Sequence, residues 1–411
     1  MKLQKASGVL KNFQTQINIK MKILLHDYGG YPFTHQLAKT LVTRNYFIEY
    51  VYSVTTQSIQ RTGFFPSSRN FLQSGINLSH SFAKYSYLQR WNCEIEHGQK
   101  LASKIITSHP DIVISANAPL DVQRQVMKAS HEVGAKFIFW LQDAISEATR
   151  HELTKKIPLF GTLISNYYTL VEKNMVKRSD RVILISDDFV PLMKHWGVNK
   201  ERITIIPNWA PLTDIPVFPK QNPWAATHNL EEQFVFLFSG ILGLKHNPEY
   251  FIQLSIAFKF FLDVKIVIVA EGAAIVWLKE QKEKLNLDNL LLFPYQPAEV
   301  YPQMLGASDV LMSILNSEAG SYSVPSKVLS YMCAGRPLLL SVPLENLAAR
   351  LVIKNDAGKV SSPLKVTHFV DNAKSFYFDR QSLIRMGNNA RKYAQEFFNI
   401  ERITDKFESL F

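Results

Sequence analysis

Short continuous apolar runs alternate along most of the chain with longer segments of helical spacing. In the first half the runs are Ile23–Leu25, Ile48–Tyr52, Ile112–Ser115, Phe137–Trp140, Val182–Ile185 and Ile203–Ile206. Continuous rather than alternating apolar character predicts strands buried on both faces, hence parallel strands joined by helical crossovers. A Pro-rich stretch without periodicity follows, from Pro207 through Pro211, Pro216 and Pro219 to Pro223, and predicts a linker over 209–230. The pattern restarts at Phe234–Ser239 and continues through Lys265–Val269, Leu290–Phe293, Val310–Ile314, Leu338–Val342 and Lys359–Val360. The expected fold class is α/β: two doubly wound parallel-sheet, Rossmann-like domains over 21–208 and 231–390, facing across a cleft. Residues 1–20 read as a flexible N-terminal extension. Residues 391–411 read as a C-terminal helix, the end of a segment from Gln381 whose spacing predicts packing on the exterior. In such sheets ligands sit beyond the carboxyl ends of the strands, which places the site in the cleft.

At 411 residues the chain exceeds one ordinary core and suits two domains. Cys93 and Cys333 form no CxxC, which argues against a disulfide framework or zinc cluster and for a reducing cytoplasm. The first twenty residues are polar, with scattered lysines and no apolar stretch of signal-peptide length, and Met21 opens a typical first strand. No window approaches the roughly eighteen apolar residues of a spanning helix. The formal net charge is +11; residues 1–208 hold 26 Lys and Arg against 15 Asp and Glu, while the remainder balances at 20 against 20. The excess points to an anionic partner on the first half alone.

Candidate chemistry falls where strands end. His26-Asp27-Tyr28-Gly29-Gly30-Tyr31 is a tight glycine turn that lets a ligand approach the backbone; it is not GxGxxG, which disfavours a nicotinamide or flavin enzyme. Leu141-Gln142-Asp143 puts an acid past a strand, as a base, a hydroxyl-orienting group or the cap of the next helix. His35, His131, His151 and His195 lie in helical contexts and read as packing or surface residues. In the second half, Ser239-Gly240-Ile241-Leu242-Gly243-Leu244-Lys245 projects a cation past a strand end. The run from Ser323 to Pro337 reads as a loop, a short helix and a stop. Pro325 sets φ for the first turn, Ser323 or Ser326 caps free N–H groups, and Gly335 with Pro337 ends the helix. Its N-terminus and Lys327 favour an anion. A diphosphate held between Lys245 and this helix needs no metal.

Tyr28-Gly29-Gly30, Glu172 through Ser179-Asp180-Arg181-Val182-Ile183 to Ser186, and Ile206-Pro207-Asn208-Trp209 occur in the first half. Ser239-Gly240 to Lys245, Ala270-Glu271-Gly272, Ala307-Ser308-Asp309-Val310 and Pro325-Ser326-Lys327 to Gly335-Arg336-Pro337 follow in the second. Their order and spacing over about 21–400 resemble family 4 glycosyltransferases of the GT-B fold, particularly those that build bacterial surface polysaccharides of the colanic acid or O-antigen type on a lipid carrier. The resemblance implies retaining transfer of a hexose or N-acetylhexosamine from a nucleotide-diphosphate sugar, by default a UDP-sugar, with no metal and no other cofactor. On this reading Asp143 and Lys245 are the candidate catalytic residues. Donor binding falls to Gly240, Lys245, Glu271, Gly272, Tyr295, Gln296, Glu318, Ser323, Val324, Ser326, Lys327 and Ser330. Gly29, Gly30, Tyr31 and Gln142 line the acceptor-side cleft. Three positions depart from the family's pattern. Its two glutamates fall on Tyr322 and Ser330, with Glu318 nearby; its Arg after the second-half glycine is Ile241; its frequent His after the fourth strand is Gln142.

A lipid-linked glycan acceptor accounts for the basic first half and predicts a cytoplasmic protein held peripherally at the inner face of the membrane. One candidate contact is Lys155-Lys156 with Ile157–Ile164 and Tyr167-Tyr168. Another is Arg61 to Trp91, where Phe64, Phe65, Phe71, Phe82, Tyr85 and Tyr87 alternate with Arg69, Lys84 and Arg90. Both also fit a solvated loop over a core helix. No nucleic-acid motif accompanies the basic aromatic surface. A nucleotide-sugar epimerase of the same architecture and a non-catalytic partner in a polysaccharide assembly complex are the alternatives.

Overall fold

The apolar runs form two parallel sheets. The structure is a computed structural model describing residues 19–54, 69–79, 87–147, 150, 158–243, 246–317 and 325–411. The first sheet comprises β1 (Lys22–Asp27), β2 (Phe47–Ser53), β3 (Phe71–Ile76), β4 (Ile112–Ala116), β5 (Lys136–Leu141), β6 (Arg181–Leu184) and β7 (Ile203–Ile205), in the order β3-β2-β1-β4-β5-β6-β7. The second comprises β8 (Phe234–Ile241), β9 (Val264–Glu271), β10 (Leu290–Phe293), β11 (Val310–Ile314), β12 (Leu338–Ser341) and β13 (Gly358–Ser361), in the order β10-β9-β8-β11-β12-β13. In each, the order reverses beside the first strand, between β1 and β4 and between β8 and β11. The carboxyl ends at such a switch point diverge into a ligand crevice.

Burial on both faces follows from the helices that cover each sheet: β4 is buried at every position, and so are the apolar residues of β8 from Phe234 to Phe238. The edge strand β3 has no counterpart among the expected runs. Its centre is Gln73-Ser74-Gly75, and only its ends, Phe71 and Ile76, reach the core. Phe71 pairs with Ile48 and meets the His35 ring, so it is a core residue and not the membrane contact expected of it. Of the other residues in that expected contact, Phe64, Phe65, Phe82, Lys84 and Tyr85 lie outside the described residues.

The expected linker is folded into the core. Trp209, Ala210, Ile215, Trp224 and Leu230 are buried, and Asn222 caps a short helix, Pro223–Thr227, by accepting from the N–H groups of Trp224 and Ala225 at 3.1 Å. The C-terminal segment likewise departs from exterior packing. Helix Arg380–Phe397 runs along the Lys327–Cys333 helix of the second half. Helix Ile400–Glu408 then returns to the first half, packing on helix Pro32–Thr43. There Phe407 is fully buried, its ring 4.9 Å from Trp140 and 6.2 Å from Trp209. Arg44 clasps the outer face through Glu401, Asp405 and Glu408. Helical spacing could not tell a buried Phe407 from an exterior one, because its partners come from β5 and the linker. Among the described residues no helix is long and apolar enough to cross a membrane.

Candidate active site

At the carboxyl edge of the first sheet, one buried carboxylate builds the glycine turn. Asp27 closes β1, and its Oδ1 accepts from the Gly29 N–H at 3.1 Å and the Asn117 amide at 3.0 Å. Its Oδ2 accepts from the Tyr31 N–H at 2.6 Å and the Thr34 hydroxyl at 2.5 Å. Burial raises the Asp27 pKa against the pull of these four donors. Gly30 is left-handed at φ +62°, and the Tyr31 ring folds over Gly29 where a Cβ would stand. The Tyr31 hydroxyl is pushed up to about 12 by burial and then by the charges of Asp27 and Asp143, which places Asp143 within electrostatic reach of the turn. Behind it, His26 Nδ1 lies 2.8 Å from the Ser115 hydroxyl and His26 Nε2 lies 3.1 Å from His97 Nε2, both rings fully buried. Burial lowers both histidines, His97 to about 4, so they stand neutral at physiological pH.

Gln142 and Asp143 follow β5. The Gln142 and Asn208 amides bond reciprocally, at 3.1 and 2.6 Å, tying the end of β5 to the chain after β7. Asp143 is exposed. The next turn is held by Glu172, which is fully buried and accepts from the N–H groups of Ile145 at 3.2 Å and Ser146 at 3.0 Å. Burial drives Glu172 up to about 7.

The second sheet's edge is also pinned. The buried Tyr331 hydroxyl accepts from the Ser239 N–H at 2.9 Å and donates to the Ser239 carbonyl at 3.2 Å, fixing the end of β8. Next to it Gly240 has φ +137°, and a Cβ there would stand 2.7 Å from the Lys327 ammonium. That ammonium also lies 3.6 Å from the Phe238 ring centroid. Gly272, after β9, has φ +130°, and a Cβ would collide with the Leu242 carbonyl, whose own N–H donates to Glu271 O at 2.8 Å. Tyr295 raises the Tyr331 hydroxyl electrostatically and so lies near it. Gln296 has both ends of its amide engaged, accepting from Trp224 Nε1 at 3.1 Å and donating to the Pro294 carbonyl at 2.9 Å.

Of the residues expected from sequence, Gly29, Gly30, Tyr31, Gln142 and Asp143 gather at the first edge. Gly240, Glu271, Gly272, Tyr295, Gln296, Ser326, Lys327 and Ser330 belong to the second. Lys245, Glu318, Ser323 and Val324 lie outside the described residues. Ser326 does not cap: its backbone is helical and its side chain accepts no N–H, because the helix proper begins at Lys327 with a turn held by Pro325 and Ser326 carbonyls. Gly335, at φ +67°, ends that helix as expected. Sequence reasoning assigns no role to Asp27, Asn117, Glu172 or Tyr331: the last three bond to partners far along the chain, while Asp27 bonds three groups of its own turn as well as Asn117.

Residues 221–393 match the family of glycosyl transferases group 1. That stretch is therefore similar to a group 1 glycosyltransferase domain. It contains Gly240, Gly272, Lys327 and Tyr331, so the second edge described above belongs to it. No curated protein matches the chain by sequence. Among solved structures it is similar to HepE of Anabaena in complex with UDP, at 15% identity and TM-score 0.67, over 95% of this chain and 99% of that one. It is also similar to a sucrose-phosphate synthase of Thermosynechococcus elongatus, at 12% and 0.70, over 95% and 98%. A third is WaaG, a glycosyltransferase involved in lipopolysaccharide biosynthesis, at 15% and 0.64, over 93% and 98%. The two sheets with their covering helices together have the GT-B fold.

Proposed function

We propose that the protein is a retaining, family 4-like glycosyltransferase that moves a hexose or N-acetylhexosamine from a UDP-sugar to a lipid-linked glycan in surface polysaccharide synthesis, working at the inner face of the membrane. The observation that carries this reading is the group 1 domain, whose match includes the glycines and lysine gathered at one sheet edge. HepE with bound UDP and UDP-glucose supports the choice of donor, and WaaG supports the pathway class.

The donor diphosphate lies beside Gly240, where absence of a side chain leaves room for the Lys327 ammonium, with Lys327 and Lys245 supplying positive charge. Glu271, Gly272, Tyr295, Glu318, Ser323, Val324, Ser326 and Ser330 surround the sugar and nucleoside. Gln296, committed to Trp224, shapes the base pocket through that contact. The acceptor hydroxyl enters past Gly29, Gly30, Tyr31 and Gln142, oriented by Asp143. It attacks the anomeric carbon on the face the diphosphate leaves. A bond forms from the acceptor oxygen to that carbon, the bond from carbon to the phosphate oxygen breaks, and a non-bridging phosphate oxygen takes the acceptor's proton. The lysines stabilise the departing diphosphate and no metal is required.

Thermal unfolding with UDP, GDP, ADP and their sugar conjugates, without added metal, tests this. A ligand at about 100 times its Kd adds roughly 2.7 kcal/mol of stability. The expected outcome is a selective rise with UDP species that falls in Lys327→Ala and Lys245→Ala. No rise with any nucleotide would sink the reading in favour of a non-catalytic assembly partner.

A further inference from the structure

Helix Pro158–Arg178 buries Met175 and Val176 near its end but turns small and polar residues inward over its earlier turns. Its inward face carries Gly161, Ser165 and Glu172, all buried. Its outward face carries Phe160, Leu163, Ile164, Tyr167 and Leu170, at helical spacing along one stripe. Phe160 is 69% exposed, Leu163 67% and Leu170 58%. Soluble proteins rarely leave a contiguous apolar stripe in water without a use for it.

The surroundings select the partner. The helix's single acid, Glu172, is fully buried, so its outer surface carries no negative charge. Helix Leu120–Glu132 packs beside it and presents exposed Arg124 and Lys128. Arg124 donates to the Tyr167 hydroxyl at 3.1 Å, and half-exposed Trp91 donates its indole N–H to Asp121 at 3.1 Å. Apolar side chains, ring systems with tethered polar tips and exposed Arg124 and Lys128, with Glu132 as the exposed acid at the far end of their helix, form the composition of a surface that seats in lipid headgroups. The helix returns from the carboxyl edge of the first sheet toward β6, so residues 160–170 lie on the side of Gln142 and Asp143.

We infer that this stripe, with Arg124 and Lys128, docks the protein on an anionic lipid bilayer beside the acceptor-side cleft. The proposal deepens the lipid-linked acceptor reading and rests on it for its purpose.

Full-length protein is sedimented with vesicles of phosphatidylcholine alone and of phosphatidylcholine with phosphatidylglycerol, at low and high salt. Wild type is expected to pellet with the anionic vesicles, and about tenfold less with neutral vesicles or at high salt. The variant Phe160→Ser/Leu163→Ser/Leu170→Ser should lose binding to both vesicle types. Arg124→Glu/Lys128→Glu should lose only the anionic preference. Both should keep the thermal response to UDP, which certifies their fold. Wild type that ignores anionic vesicles, or a triple variant that binds them equally, overturns the proposal. So does a wild-type dimer that becomes monomeric in the triple variant, which assigns the stripe to a second copy. Vesicle binding without any nucleotide response supports the docking face while removing the transferase reading.

Discussion

Glu172 makes the stability of the first half depend on pH in a direction opposite to that of most carboxylates. The folded pKa is about 7 against an ordinary 4.5, with burial as the main cause, the Ser146 and Ile145 hydrogen bonds pulling down and Glu147 adding a smaller push upward. Below pH 4.5 the group is neutral folded or unfolded and costs nothing. Between 4.5 and 7 the folded chain holds a proton that the unfolded chain has released, so stability falls as pH rises; above 7 the cost is constant. The rise from 4.5 to about 7 is worth roughly 3 kcal/mol. His26 and His97 act in the opposite sense. Their lowered pKa values make stability rise with pH below 6.5, so wild type alone hides the carboxyl. Glu172→Gln separates them, since glutamine has the same shape and cannot ionise. It places an NH₂ against one of the two loop N–H groups, a pH-independent loss of about 1–3 kcal/mol. Denaturant unfolding of both proteins from pH 4.5 to 8, followed by tryptophan fluorescence, gives the difference curve. Wild type's advantage should shrink by roughly 3 kcal/mol between pH 4.5 and 7 and then stay flat. Parallel curves across that window would refute the reasoning, because Glu172 would then titrate as it does unfolded.

Four further substitutions address the two sheet edges. Asp27→Ala removes the acceptor of the Gly29 and Tyr31 N–H groups and the Asn117 amide, while the Thr34 hydroxyl keeps the Tyr31 carbonyl, and should cost about 3 kcal/mol in denaturant unfolding. Tyr331→Phe leaves the buried Ser239 N–H without its acceptor; it should cost about 1–3 kcal/mol and weaken any nucleotide-induced thermal shift. Gly272→Ala forces a Cβ against the Leu242 carbonyl at a φ that L residues avoid. It should lower the melting temperature by an amount matching roughly 1–3 kcal/mol, whereas Gly243→Ala, with only the His246 ring nearby at 3.8 Å, should be close to neutral.

What could be read from the chain depended on how local the cause was. Continuous apolar runs marked β1, β4, β8 and β12 because burial on both faces leaves no alternation to confuse, whereas β3 was hidden by Gln73-Ser74-Gly75, polar and small as an edge permits. Gly29, Gly30 and Gly240 could be placed because a strand followed closely by glycine marks a close turn, whereas Gly272 came with the family resemblance. The side chains that set those turns could not. Tyr331 works through Ser239 and Glu172 through Ile145 and Ser146, all distant in sequence, and Asp27 through its own turn together with Asn117. Nothing in local spacing distinguishes such residues from an ordinary surface acid or core aromatic. The exterior placement expected for the C-terminal helix failed similarly, since Phe407 meets Trp140 and Trp209 only after the chain has crossed back.

That crossing limits how the two edges move against each other. The chain passes between the halves twice, through 209–222 and again at Phe398–Asn399, between helices Arg380–Phe397 and Ile400–Glu408. Both passages are anchored by burial. Trp209 and Phe407 share the first half's core, while Arg391 ties the linker to the second half by donating to the Ile215 carbonyl at 2.9 Å and to the Cys333 carbonyl. The ion pair between Asp188 and Arg350 also spans the halves, but both side chains are about half exposed, so it contributes at most about 1 kcal/mol and is screened by salt. The covalent crossings therefore act as the hinge and the ion pair as a weak latch. Arg350→Ala should leave the melting temperature nearly unchanged while making the distance between labels on the two halves, measured by fluorescence transfer, independent of salt. A salt-dependent distance that persists in the variant would place the latch elsewhere.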